Sequence, residues 1–137
     1  MALDHESRIP IESDADVVTA RQRARELAAS LALSSTDQTL LATAISEVAR
    51  NITTYAQRGE VTVGMVEDGG RRGIRVVARD DGPGIEDIER ALQDGYTSGG
   101  GLGLGLPGAR RLVDEFDIQT APGQGTTVTL VKWTRSA

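Results

Sequence analysis

Glu47 and Asn51 stand four residues apart in the run Thr43-Ala44-Ile45-Ser46-Glu47-Val48-Ala49-Arg50-Asn51. On a helix that spacing stacks a carboxylate and a carboxamide on one face. An isolated pair of this kind is most often an ordinary exposed hydrogen-bonding couple, so its surroundings decide its meaning. Leu40, Leu41, Ala44, Ile45, Val48, Ala49 and Ile52 form one broad apolar arc, and Glu47 and Asn51 fall at its edge. Two polar groups between core and solvent would make the wall of a cleft. A second feature, Asp80-Asp81-Gly82-Pro83-Gly84, closes an alternating run. There glycines let the backbone approach a flat ligand and turn an acid toward it, although a plain strand-ending turn would use similar residues. The third feature, Gly99 to Gly108, is glycine-dense and opens onto a helix, whose free N–H groups and dipole suit phosphate. A fourth, Gly123-Gln124-Gly125-Thr126, follows near the end of the chain.

Several other chemistries are excluded. Gly103 to Gly108 fits G-x-G-x-x-G literally, but no strand precedes it and no acid stands about twenty residues later, which rejects dinucleotide binding. The G-x-x-x-x-G-K-[ST] loop and the H-R-D and D-F-G elements are missing. With no cysteine there is no disulfide or thiolate metal site, and a reducing cytoplasm is the expected setting. The lone His5, with no second histidine or cysteine, is not a metal site, and it lies outside any expected helix, against a phosphoacceptor role. A net charge of −5 and few aromatics argue against nucleic acid. No basic region followed by an apolar run opens the sequence, and no segment has the apolar length of a membrane span, so a soluble protein without a membrane partner is expected.

These residues need elements to hold them. Ser7 to Glu12 reads as a strand with Ile9 and Ile11 on one face, and Ser13-Asp14 caps a helix ending near Leu33. The pattern Ser35-Thr36-Asp37-Gln38 reads as a capping box for a second helix from about Thr36 to Tyr55. Alternation on both sides of Asp68-Gly69-Gly70 predicts a β-hairpin ending at Asp80. A short helix from about Glu86 to Asp94, a helix near Pro107 to Glu115, and strands near Asp117 to Thr120 and Thr126 to Trp133 complete the chain. At 137 residues, one domain spanning 1–137 is expected. The element order, without strict βαβ alternation, predicts an α+β two-layer α/β sandwich, with helices on one face of a mixed, mostly antiparallel sheet.

In order and type, the four features resemble the boxes of the GHKL (Bergerat-fold) ATPase/kinase superfamily, across nearly the whole chain. The segments Ala44-Ile45-Ser46-Glu47-Val48-Ala49-Arg50-Asn51, Gly100-Gly101-Leu102-Gly103, Gly105-Leu106-Pro107-Gly108 and Val131-Lys132-Trp133 are most similar to its stand-alone serine/threonine switch kinases of the RsbT type, sisters of the anti-sigma-factor serine kinases. The resemblance implies Mg-ATP. Asn51 would ligate Mg²⁺ and Glu47 would be the general base. Asp80 would accept the adenine amino proton, helped by Thr126, with Gly82, Gly84 and Ile85 around the ring and Gly84 allowing its close approach. Gly101, Leu102, Gly103 and Gly105 would present backbone to phosphate, with Thr97 and Ser98 nearby and a lid from about Ile88 to Gly101. Arg50, three positions from Glu47, could pair with it, hold phosphate, meet a partner or simply be solvated. The implied activity is phosphorylation of a STAS-domain antagonist in a bacterial partner-switching, stressosome-type stress pathway, releasing the kinase to activate a PP2C-type phosphatase. The alternatives that share this site are an anti-sigma factor kinase that sequesters a sigma factor, and a non-catalytic ATP-dependent binding switch.

Overall fold

The computed structural model describes residues 3–85, 92 and 105–134. In chain order these form β1 (Leu3–Ile11), α1 (Asp14–Ser30), α2 (Ser35–Tyr55), β2 (Gly59–Asp68), β3 (Arg71–Asp80), α3 (Gly105–Leu112), β4 (Glu115–Thr120) and β5 (Thr126–Trp133). The strands make one five-stranded sheet in the order β1-β2-β3-β5-β4. Every neighbouring pair is antiparallel, so the sheet contains no parallel pairing among the described residues. Helices cover one face, as expected of an α+β sandwich. The short helix expected from Glu86 to Asp94 falls outside the described residues apart from Leu92.

Because side chains alternate along a strand, the helix-facing side of the sheet can be read as rows across it. One row is Ile9, Val61, Ala78, Val128 and Ile118. The adjacent row is Ser7, Val63, Val76, Leu130 and Phe116. Against them α1 buries Val17, Ala20, Ala24 and Ala28, and α2 buries Leu41, Ala44, Ile45, Val48, Ala49 and Ile52. The alanine stripe on α1 lets that helix lie close, while the larger apolar face of α2 fills the centre.

The rows flanking this core each bring polar side chains in beside apolar ones on the same face, and each meets one end of α2. At one end Lys132, paired with Ile74, is buried with its Nζ 3.5 Å from Asp37 Oδ1 and 3.1 Å from the Leu112 carbonyl. The ammonium therefore ties the start of α2 to the last carbonyls of α3, where a cation is favoured by the helix dipole. At the other end lies the row Ile11, Gly59, Asp80, Thr126 and Thr120. Gly59 is needed there, since a Cβ would stand 2.4 Å from the Arg79 carbonyl and 2.9 Å from Ile52 of α2.

Several boundaries differ from the sequence reading, with α1 stopping at Ser30 and β4 starting at Glu115 among them, and three elements show why. The cap of α2 is Ser34, whose hydroxyl accepts the Asp37 N–H at 3.0 Å, and Gln38 donates its amide to the Leu33 carbonyl instead of reaching the cap N–H. β1 starts earlier, at Leu3, because pairing with Val66 of β2 extends it beyond its own alternation. α3 starts at Gly105 and stops at Leu112: Pro107 sits in the first turn, where its missing N–H costs little, and Asp114 N–H already bonds to Val131 and leads into β4.

Removing one partner of a buried ion pair leaves the other charge uncompensated, and Asp37→Ala or Lys132→Met is expected to cost about 3–5 kcal/mol of unfolding free energy by urea denaturation. Replacing both together, as Asp37→Leu with Lys132→Met, is expected to cost clearly less than the sum.

Candidate functional site

The polar row at the C-terminal end of α2 carries the first half of the site. Asp80 follows Ala78 by two residues on β3, so it faces the helix layer as Ala78 does, and it is 8% exposed. Its Oδ1 accepts the Gly82 N–H at 2.9 Å, and the carboxylate also accepts the Thr126 N–H. Burial raises its pKa above the ordinary 3.8, the two backbone donors pull it back, and the nearby charge of Asp81 pushes it further up. Beside it, the Thr120 hydroxyl donates to the Gly125 carbonyl at 3.0 Å and accepts the Ile85 N–H at 2.9 Å. Its single proton is thereby used, so across the 2.9 Å contact between the two hydroxyls Thr126 is the donor. Thr126 then has only acceptor capacity left, like Asp80. A pair of acceptors on a partly buried shelf suits a ligand edge carrying N–H donors, such as an exocyclic amine.

The loops around this shelf are glycine-dependent for packing reasons that the sequence did not reveal. Gly84 has φ +76°, and a Cβ there would lie 2.0 Å from the Ala121 carbonyl; at Gly125, also φ +76°, it would lie 2.2 Å from the Asp80 carbonyl. At Gly82 a Cβ would come within 2.6 Å of the Ala56 side chain. The β3 exit loop, the β4–β5 turn and the end of α2 are thus pressed together, with Gly123 N–H bonded to the Pro83 carbonyl at 2.6 Å. Thr120, the hub joining these loops, was missed in the sequence reading. Its only local signal is a hydroxyl ending a short strand.

The second half of the site lies along α2. Glu47 is 8% exposed although charged, and each of its oxygens has a donor. Oε1 is 3.2 Å from the Arg50 guanidinium, and Oε2 accepts the Gly105 N–H at 2.9 Å. Gly105 is the first residue of α3, with φ +68°, so the carboxylate satisfies one of the unpaired N–H groups at that helix start and is favoured by its dipole. The glycine expected to face phosphate therefore offers its own N–H to Glu47 here. Asn51, one turn further along α2, is half-buried, and Ile85 is half-buried beyond the Asp80 loop. Thr97, Ser98, Gly101, Leu102 and Gly103, and the expected lid apart from Leu92, lie outside the described residues.

Among the described residues no group of three or more His, Cys, Asp or Glu side chains could by itself hold a metal. A single carboxamide such as Asn51 fits a Mg²⁺ ion that keeps most of its shell from water and a polyphosphate. The acceptor shelf at Asp80 and Thr126, and α2 with Glu47 and Asn51 leading to the start of α3, suit the base and phosphate ends of a nucleotide.

The profile of the histidine kinase-, DNA gyrase B- and HSP90-like ATPases matches residues 36–135. The chain belongs to that family. It is 43% identical over 133 residues to the serine/threonine-protein kinase RsbT of Bacillus subtilis strain 168, covering 97% of this chain and 100% of that one. To an anti-sigma F factor of Thermoanaerobacter sp. strain X514 it is 32% identical over 97 residues, 66% of each chain. The solved structure of the RsbU and RsbW domains of a Mycobacterium tuberculosis protein superposes with a TM-score of 0.64 at 23% identity, covering 96% of this chain and 34% of that one. That likeness shows the fold. No described helix of this family member is long and apolar enough to cross a membrane.

The raised pKa of Asp80 means that the folded state holds its proton more tightly than the unfolded chain does. Its contribution to stability is present at acid pH and is lost as pH rises through 3.8 and then through the raised value. At pH 7 the buried carboxylate is a burden, and Asp80→Asn keeps an oxygen for the Gly82 and Thr126 N–H groups. A thermal melt of Asp80→Asn at pH 7 is therefore expected to match or exceed that of the wild type, with the difference shrinking as pH is lowered.

Proposed function

We propose that this chain is an ATP-dependent serine/threonine protein kinase of a bacterial partner-switching stress pathway. It would work as a single 1–137 domain in the cytoplasm, phosphorylating a STAS-domain antagonist and, once released, activating a PP2C-type phosphatase. The observation that carries the reading is the buried Glu47 carboxylate hydrogen-bonded to the first N–H of α3, at the end of the glycine loop. Family membership supports ATP use, and the full-length likeness to the kinase RsbT supports serine/threonine transfer.

In this reading Asp80 and Thr126 receive the adenine edge, between the loops that carry Gly82, Gly84 and Ile85. Gly101, Leu102 and Gly103 offer backbone donors to the phosphates, with Thr97 and Ser98 alongside, and the start of α3 adds the favourable end of its dipole while the Gly105 N–H stays with Glu47. Asn51 would hold Mg²⁺, which would supply positive charge to offset that of the phosphates. Glu47 takes the proton of the attacking hydroxyl as its oxygen bonds to the γ-phosphorus and the bond to ADP breaks. A buried, doubly hydrogen-bonded carboxylate is held in one orientation, as a base that must meet a single incoming hydroxyl needs to be.

The likeness to an anti-sigma F factor keeps one neighbouring reading in view, in which the same site serves a chain that sequesters a sigma factor. The two differ in partner, not in chemistry.

Incubation with γ-labelled ATP, Mg²⁺ and STAS-domain proteins of the same genome is expected to label an antagonist serine or threonine. Glu47→Ala is expected to lose that label by about 10²-fold or more, the scale of general-base catalysis, while still binding ATP. Asp80→Asn is expected to lose nucleotide binding itself. ATP binding without transfer to any antagonist would leave a binding switch, and capture of a sigma factor in place of a phosphatase would favour the neighbouring reading.

A further inference from the structure

Resting on the reading that Asp80 and Thr126 receive the adenine edge, we infer that Thr120 sets the base specificity of the site: by fixing the direction of the Thr126 hydroxyl, it favours a purine with an exocyclic amine at that edge and turns away one with a carbonyl. Asp80, Thr126 and Thr120 are consecutive Cα partners across β3, β5 and β4, so Thr126 stands between the other two. A hydroxyl has one proton and two lone pairs, and Thr120 uses all three. It accepts the Ile85 N–H at 2.9 Å, gives its proton to the Gly125 carbonyl at 3.0 Å, and turns its second lone pair to Thr126 Oγ1 at 2.9 Å. Only a proton from Thr126 completes that last contact. The carbonyl that takes the Thr120 proton is fixed. Gly125 is buried, with φ +76°, and the Asp80 carbonyl is packed where a Cβ would stand. Redirecting the proton to Thr126 would strip that buried turn of a donor, at the desolvation cost of its acceptor.

Thr126 therefore shows a ligand lone pairs only, as the Asp80 carboxylate beside it does. Adenine and hypoxanthine differ at this edge: the amine of adenine, with two N–H donors, is replaced by a carbonyl oxygen with none. The amine can give one N–H to each acceptor. The carbonyl sets a third acceptor against the two with no proton between them, which is discrimination by an unfavourable contact as well as by a lost one. Were the Thr126 proton free, it would turn about its C–O bond, with no heavy atom moving, and donate to that carbonyl. The full complement of hydrogen bonds at Thr120 prevents this. Thr120 lies behind Thr126 and acts through it, which makes it a positioning residue.

The test measures by calorimetry, with Mg²⁺, the binding of ATP, inosine triphosphate and the triphosphate of unsubstituted purine riboside. On the wild type, inosine triphosphate is expected to bind more weakly than the unsubstituted purine, because a C–H is merely unpaired where a carbonyl oxygen is opposed. The reverse order would overturn the inference without any variant. Thr120→Val, which cannot take the Thr126 proton, is expected to lower the ratio of ATP affinity to inosine triphosphate affinity by about fivefold, the scale of one net hydrogen bond, and Thr120→Ser to keep it within about twofold. In a Thr126→Val background, where no such proton exists, adding Thr120→Val is expected to leave the ratio unchanged. Equal losses for both nucleotides in Thr120→Val, the same shift in Thr120→Ser, or a shift that persists in the Thr126→Val background would each overturn the role of Thr120. Asp80→Asn separates the two ideas: if it loses ATP binding while Thr120→Val keeps the ratio, the adenine pose stands and the role of Thr120 falls. If Asp80→Asn binds ATP as well as the wild type does, the pose itself is wrong.

Discussion

The two-residue alternation of β3 is the constraint on which the rest depends. Ala78 is part of the core, so Asp80 must face the same helix layer, and the paired row Gly59, Asp80, Thr126 and Thr120 becomes the polar edge of an otherwise apolar face. A slip of one residue would move the acid to the far side of the sheet. Register thus places chemistry in this protein as well as packing, and the energy that enforces it is the burial of the two apolar rows beside the site.

α2 turns that one-sided sheet into a site with two ends. Its apolar face lies over the core rows, its start is fixed by the buried contact between Asp37 and Lys132, and its last turns reach the Asp80 row where Gly59 and Gly82 permit close approach. Glu47 and Asn51 ride at the border of that face, so their height above the sheet is set by helix packing. α3 is held to the same framework at both ends, through Gly105 to Glu47 and through Leu112 to Lys132. The helix start that suits phosphate is therefore located by contacts with α2 and β5, whatever the glycine loop before it does.

Much of this could be read from the chain because it is local. The body of α2 followed from its apolar arc, the hairpin of β2 and β3 from alternation around Asp68-Gly69-Gly70, and the acid at the end of β3 from the glycines after it. Errors of one or a few residues arose where another strand chose the boundary, as with Leu3 pairing to Val66, or where two adjacent serines offered the same cap, as with Ser34 and Ser35. What stayed hidden joins residues far apart in sequence. Nothing near Asp37 announces Lys132, and nothing near Ile85 announces Thr120. Gly84 was read as room for a ligand, yet its φ and the Ala121 carbonyl already require glycine there. The pairing of Arg50 with Glu47 was one of several uses open to that arginine, and only the distance separates it from the others.

The central claim is that the Asp80 row and the Glu47 face of α2 are the two ends of one nucleotide site. A crystal structure with Mg²⁺ and a non-hydrolysable ATP analogue tests it most directly. The account predicts the adenine amino group against Asp80, Asn51 in the metal shell, and the terminal phosphate on the side of α2 that carries Glu47. A nucleotide bound away from Asp80, or with its terminal phosphate turned from Glu47, would contradict it.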